Sequence, residues 1–318
     1  MNHSVTLLKS TPEARDLRAE VAALQAADQK LTQAEISRQS GVGSTALSQW
    51  INGRYPGDNE RLEADLARWI DAHNTRTLEA KALPKAPDWV SIPTSERILA
   101  AYSYAQLAGD IALVYGGAGV SKTYTAEHYQ RAMPNVWIAT MSSDTKAVVS
   151  ALEEVTMALG LSVRGGAATL RREVARRVRG TMGLLIIDEA QHLGIDALES
   201  LRAVHDKTGI GLVLQGNESV YAHMTGGNRA AYLDRLFSRI GKRVRVTRST
   251  KGDIDALIDA WRLDPRECRA ALHDIAGKPG GLRGLTKVLR LASMFAAGDG
   301  RSLSCTDIKA AWRDLGGE

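Results

Sequence analysis

Ile111-Ala-Leu-Val-Tyr-Gly-Gly-Ala-Gly-Val-Ser-Lys-Thr123 decides the fold. An apolar run able to form a buried strand leads into a glycine-rich turn closed by Lys-Thr, and the amphipathic segment 124–131 follows as a helix. This strand, loop and helix order is the context a phosphate-binding P-loop requires. Gly116, Gly117 and Gly119, with Ala118 and Val120 among them, let the backbone close around phosphate oxygens. The helix N-terminus supplies N–H donors and a favourable dipole, Lys122 a point charge for the β- and γ-phosphates, and Thr123 a hydroxyl for Mg²⁺. Ser121 stands where the pattern G-x-x-x-x-G-K-[ST] has glycine. At the start of a helix a non-glycine residue can adopt the backbone angles, so nucleotide binding is expected to survive; the hydrolysis rate is less protected.

The partner of this stretch is Leu184-Leu-Ile-Ile-Asp-Glu189. Alone, an apolar run ending in Asp-Glu is often a strand edge meeting solvent. Downstream of a P-loop it implies an ATPase: Asp188 reaches the Mg²⁺ shell from the end of a buried strand, and Glu189 orients or deprotonates the attacking water. A further buried strand, Ile210-Gly-Leu-Val-Leu-Gln-Gly-Asn217, ends in an amide with two readings, a holder of the lytic water or γ-phosphate and a simple Asx turn.

The chain has 318 residues, room for about two domains with real cores. Lys plus Arg number 41 against 36 Asp plus Glu, a mildly basic balance compatible with nucleic acid without demanding it. Cys268 and Cys305 have no paired spacing and no accompanying histidine cluster, so neither a disulfide framework nor a zinc site is expected. Charges throughout the first thirty residues and the lack of any long apolar stretch argue against a signal peptide or spanning helix, and for a soluble protein of reducing cytoplasm.

Residues 14–30 are predicted as a helix from the spacing of Leu17, Val21 and Leu24. Thr32 then forms a capping box with Glu35, Ala34 and Ile36 face inward, Gly41 makes a tight turn, Val42 plugs the corner, and Leu47, Trp50 and Ile51 bury one side of a second helix. Two short helices about a glycine turn are the helix-turn-helix pattern. Its exposed residues, Ser44, Thr45, Ser48 and Gln49 with Arg54 beyond, suit phosphates and weak base contacts and predict low sequence specificity. A small bundle that packs against protein is the other reading. Residues 72–95, with Pro84, Pro87 and Pro93, read as a linker, and Ile98–Leu107 as a helix of the kind that borders adenine.

The helix at 170–179 carries Arg171, Arg172, Arg176, Arg177 and Arg179 around an apolar stripe, either a solvated face or a phosphate-binding surface. Arg235 and Arg239 are expected on adjacent turns of one helix, projecting together. In the C-terminal helical region, Gly280-Gly-Leu-Arg283 opens a helix from which Arg283 can swing over bound nucleotide.

Taken together, the helix-turn-helix and linker, Gly116–Thr123, Leu184–Leu193, Gly211–Asn217, the block Met224–Arg243 and Lys278–Leu285 resemble, over nearly the whole chain, the target-capture ATPases of Mu-type transposable phages, the Mu B transposition protein family. Ser121 departs from the family's glycine.

The resemblance implies an α/β fold: an AAA+ P-loop ATPase core with a parallel sheet over 96–250 and a helical lid over 251–318, preceded by an all-α helix-turn-helix domain over 1–71 and the linker at 72–95. It implies ATP and Mg²⁺ as cofactors and binding of double-stranded DNA with little sequence preference as an ATP-dependent helical filament. It further implies delivery of that DNA to a transposase, which stimulates hydrolysis, in the bacterial host cytoplasm and without a membrane partner. Lys122 and Thr123 become phosphate and Mg²⁺ ligands, Asp188 and Glu189 the metal-orienting and catalytic acids, Asn217 the first sensor, Arg239 or Arg235 the finger offered to a neighbouring subunit, and Arg283 the lid sensor. Two other classes stay open: a replication initiator or helicase loader on the same scaffold, and a nucleotide-switched DNA-binding regulator.

Overall fold

Strands β1 (Ile111–Gly116), β2 (Val136–Thr140), β3 (Leu184–Asp188), β4 (Gly211–Gly216) and β5 (Ile240–Val246) form one parallel sheet in the order β2-β3-β4-β1-β5 in the computed structural model. Residues 15–82, 87–225, 238–261 and 268–317 are described. They fall into two compact units, 1–83 and 84–318.

In the N-terminal unit, α1 (Leu17–Ala27), α2 (Gln33–Ser40), α3 (Ser44–Ile51) and α4 (Asn59–Ala82) enclose Val21, Ile36, Leu47, Trp50, Leu66 and Ile70. Gly41 ends α2 at φ 77°, a left-handed cap that turns the chain toward α3. Two local expectations are corrected. Thr32 accepts from the Glu35 amide at 3.3 Å, but the Glu35 carboxylate turns to Arg38 and Gln39, so only half of a capping box forms. Ala34 is exposed and Ile51 only half-buried. The expected linker is also shorter at its start, because α4 runs on to Ala82. Residues 72–82 contain neither proline nor glycine, so nothing stops the helix before Pro84.

In the second unit the strands alternate their side chains between two apolar layers. Ile111, Leu113, Leu185, Ile187, Leu212 and Leu214 face α7 (Val148–Ala158), α8 (Ala167–Val178) and α9 (Ile195–Thr208). Ala112, Val114, Leu184, Ile186 and Val213 face α5 (Pro93–Ala108) and α6 (Lys122–Ala132). Because both faces are covered, β1, β3 and β4 are buried along their whole length, which is why they read as unbroken apolar runs. A short helix, α10 (Glu218–Thr225), follows β4. Helices α11 (Lys251–Ala260), α12 (Arg269–Gly277), α13 (Gly281–Gly298) and α14 (Cys305–Asp314) pack about Leu272, Leu285, Leu289 and Ile308.

The expectation of unpaired cysteines is overturned: Cys268 and Cys305 form a disulfide that joins the start of α12 to the first residue of α14, with the α-carbons 5.4 Å apart. Sequence spacing hides this, since the two cysteines are 37 positions apart with α12 and α13 between them. Among the described residues no helix is long and apolar enough to cross a membrane.

Candidate nucleotide site

The C-terminal ends of β1 and β3 point to one place, as the crevice of an open parallel sheet does. There the loop after β1 curls around the Lys122 ammonium, which donates to the carbonyl oxygens of Gly116 at 3.2 Å and Gly117 at 2.6 Å. Burial pushes this ammonium's pKa down, while Asp188 and Glu189 pull it back up. The loop lies hard against the end of β5: the Gly117 amide donates to Val246 O at 2.8 Å, and a Cβ on Gly116 would sit 1.8 Å from that same oxygen. Only glycine fits there.

Ser121 corrects an expectation. Its backbone is left-handed, φ 68° and ψ 15°, not helical, and its side chain makes no cap hydrogen bond. The loop's glycine position therefore keeps a conformation that disfavours an L-residue, and serine holds it under strain.

Asp188, at the end of β3, is 1% exposed and fully committed. Its Oδ2 accepts from Thr123 Oγ1 at 2.7 Å, and its Oδ1 accepts from Gln215 Nε2 and from the Glu189 amide, each at 2.9 Å. Gln215 is fully buried on β4, and its own carbonyl accepts from the Tyr102 hydroxyl of α5. Burial, then the Asp188 charge, raises the Tyr102 phenol well above its ordinary value, so it stays a donor. The Tyr102–Gln215–Asp188–Thr123 chain delivers a hydroxyl and a carboxylate oxygen to the mouth of the phosphate loop. Two hard oxygen donors beside a phosphate site suit Mg²⁺, which takes few protein ligands and completes its shell with phosphate and water. Among the described residues no group of three or more His, Cys, Asp or Glu could hold a metal by itself.

A cavity of about 470 Å³ joins these parts. Ala118, Gly119, Val120, Ser121, Lys122, Thr123, Glu189 and Arg283 all line it. Its other wall is apolar, with Trp89, Val90 and Ile92 on one side and Leu257, Trp261 and Leu282 of the lid on the other. An apolar slot opening onto a cationic, amide-rich loop fits a flat base with an anionic tail. The expected linker misses this wall: Trp89 stacks on His128 of α6 at 3.7 Å between ring centres, nearly parallel, and next to Tyr124 at 5.3 Å. An aromatic and branched apolar residues between Pro87 and Pro93 were the available signal. Lys287 and Arg290, one and two turns beyond Arg283, add positive charge to the rim.

Asn217 does form a turn, its Oδ1 accepting from the Ser219 amide at 2.8 Å at the start of α10. Arg239 is not on a helix. It occupies the turn entering β5 and pairs with Asp206 of α9 at 2.8 Å; Arg235 lies outside the described residues, as does most of the block between Met224 and Arg243. In the N-terminal unit Ser44, Thr45, Gln49 and Arg54 are exposed and Ser48 half-buried. On α8, Arg171, Arg172 and Arg176 are exposed, and Arg176 pairs with Glu173 at 2.7 Å.

A family described as Mu B transposition protein, C terminal, matches residues 238–315, and an AAA domain matches residues 107–224. The chain is 39% identical over 301 residues to the ATP-dependent target DNA activator B of Escherichia phage Mu, covering 94% of this chain and 95% of that one. It is 37% identical over 263 residues to the Mu-like prophage FluMu DNA transposition protein B of Haemophilus influenzae, covering 82% and 91%. The ORC2 protein of Aeropyrum pernix shares the fold at a TM-score of 0.53 and 18% identity, over 69% of this chain and 66% of that one.

Proposed function

The chain belongs to the Mu B transposition protein family and is an AAA+ ATPase; from that premise we propose that, with ATP bound, it assembles as a filament on duplex DNA with little sequence preference and delivers that DNA to a transposase. The observation that carries the reading is one cavity lined by Lys122, Thr123, Glu189 and Arg283, with Asp188 hydrogen-bonded to Thr123 behind that lining.

In this reading Lys122 and the amides from Gly116 to Ser121 hold the phosphates, and Thr123 and Asp188 hold Mg²⁺, whose charge neutralises the phosphate oxygens. Glu189 takes the proton of the attacking water, and Asn217 helps to fix that water. Arg283 reaches the phosphates from the lid. Arg239, once it leaves Asp206, or Arg235, serves the neighbouring subunit's site. An arginine supplied in trans acts only when subunits stack, so hydrolysis depends on assembly and therefore on DNA. The short uncharged residues on α3, with no arginine among them to grip guanine, suit phosphates and weak base contacts, which supports tolerance of sequence, and the exposed arginines of α8 add charge for phosphate.

The test is ATP turnover by the protein alone, with random-sequence duplex, and with duplex plus the cognate transposase. Turnover is expected to rise with DNA and again with transposase. ATP-dependent DNA binding with no turnover in any of the three would leave a nucleotide-switched binder, and stimulation by DNA without any response to transposase would contradict delivery.

A further inference from the structure

Glu189 leaves β3 in a left-handed backbone conformation, φ 53° and ψ 37°, at the head of a single 3-10 turn, Ala190–His192. A glutamate so placed has a flexible side chain on a constrained backbone, and something else must fix its carboxylate. Gln191, two residues on and half-buried, does so with both ends of its amide. Its Nε2 donates to Glu189 Oε2, and its Oε1 accepts from the Asn217 backbone amide at 3.2 Å. A backbone N–H only donates and an ionised carboxylate only accepts, so the two contacts allow one orientation of the amide. Turning it would break both.

We propose that Gln191 is a positioning residue that registers the Glu189 carboxylate against the tip of β4. Asn217 stands at that tip, so one side chain links Glu189 to the backbone of the residue assigned above to the lytic water. The fold makes room for it: at Gly216, the last residue of β4, a Cβ would lie 2.2 Å from Gln191 Oε1. The adjacent Asp188 is held independently by Gln215 and Thr123. Gln191 therefore acts on Glu189 without touching the groups that hold phosphate and metal. Loss of the link should lower the rate of the chemical step and leave ATP binding alone.

The inference rests on Glu189 as the group that handles the attacking water, and the experiment separates the two. DNA-stimulated ATP turnover is measured for the wild type, Gln191→Met, Gln191→Glu, Glu189→Gln and the Gln191→Met/Glu189→Gln double variant. Gln191→Met, similar in length but without the amide, should lower kcat about tenfold or more and leave KM for ATP within about twofold. Gln191→Glu keeps an acceptor for Asn217 but has no donor for Glu189, so it should fall with Gln191→Met. The double variant should be no slower than Glu189→Gln.

A wild-type kcat for Gln191→Met alongside an inactive Glu189→Gln would overturn the positioning role alone. So would an equal proportional loss in both backgrounds, or a rise in KM without a fall in kcat. Wild-type turnover by Glu189→Gln would remove Glu189 from its role and the inference with it.

Discussion

The Leu282 amide donates to the Gly119 carbonyl at 3.1 Å, so the first turn of the lid helix α13 is hydrogen-bonded to the phosphate loop itself. Gly119 has φ 73°, and a Cβ there would lie 2.1 Å from Gly280 O. Gly119→Ala must therefore strain the loop or push the lid away, and either change deforms the cavity. ATP affinity should fall about fivefold to a hundredfold, given overlaps of this kind costing about 1–3 kcal/mol. Equilibrium titration with ATP under non-hydrolysing conditions measures it, and wild-type affinity would show that the lid contact does not shape the site.

Ser121 offers the opposite experiment. A left-handed serine costs about 1–2 kcal/mol, and glycine gives back about 0.5–1 kcal/mol through its freer unfolded chain. Ser121→Gly should then be more stable by about 0.5–1 kcal/mol in urea denaturation of the second unit's transition. Because the serine side chain makes no cap hydrogen bond, nothing evident offsets the gain. Equal or lower stability would mean that the hydroxyl contributes more than the strain removes.

These two loop positions also mark how far the sequence could be read. The P-loop and the Asp188 strand were visible because a strand covered on both faces is a continuous apolar run, and because glycine spacing encodes the loop. The left-handed backbone at Ser121 was not, since a serine letter carries no φ. Tyr102, Gln215 and Gln191 were missed for another reason. Each matters only through a partner brought to it by the fold, Tyr102 and Gln215 being 113 positions apart. Trp89 was hidden by its prolines, which suggested a spacer where the chain lines a cavity. Residues 72–82 failed in reverse: a helix without a clear apolar stripe looks like a linker until a breaker is sought and not found.

The arginines of α8 divide by their contacts. Arg176 is paired with Glu173, and the Arg177 guanidinium lies 5.0 Å from the centre of the Trp137 ring, so part of the basic face is occupied within the fold. Arg171 and Arg172, in the second turn of the same helix, are exposed and lack an acidic partner among the described residues, Arg172 reaching only Thr169 Oγ1 at 3.5 Å. Replacing both with alanine should reduce the slope of log affinity for duplex DNA against log salt by about 2, and Arg176→Ala should change it less. Titrations at several salt concentrations decide this, and an unchanged slope for the double variant would return the helix to an ordinary solvated face.

The lid carries its own acid sensitivity. Asp307, buried in the first turn of α14, accepts from both terminal nitrogens of Arg301 at 2.6 Å and from the Ser304 amide at 2.9 Å. The Arg301 hydrogen bonds hold its carboxyl well below the usual carboxylate range, against the opposing effect of burial. A depressed folded-state value means that the ionised form stabilises the fold above the unfolded pKa of about 4, and that this contribution disappears as pH falls from there through the folded value. Thermal stability at fixed redox state should therefore drop on acidification below about pH 4. In Asp307→Asn, which keeps an acceptor but cannot ionise, the stability at neutral pH should be lower and the acid dependence flatter. Melting curves across that range compare the two chains. If the variant lost stability on acidification as steeply as the wild type, the acid sensitivity would have to come from carboxylates other than Asp307.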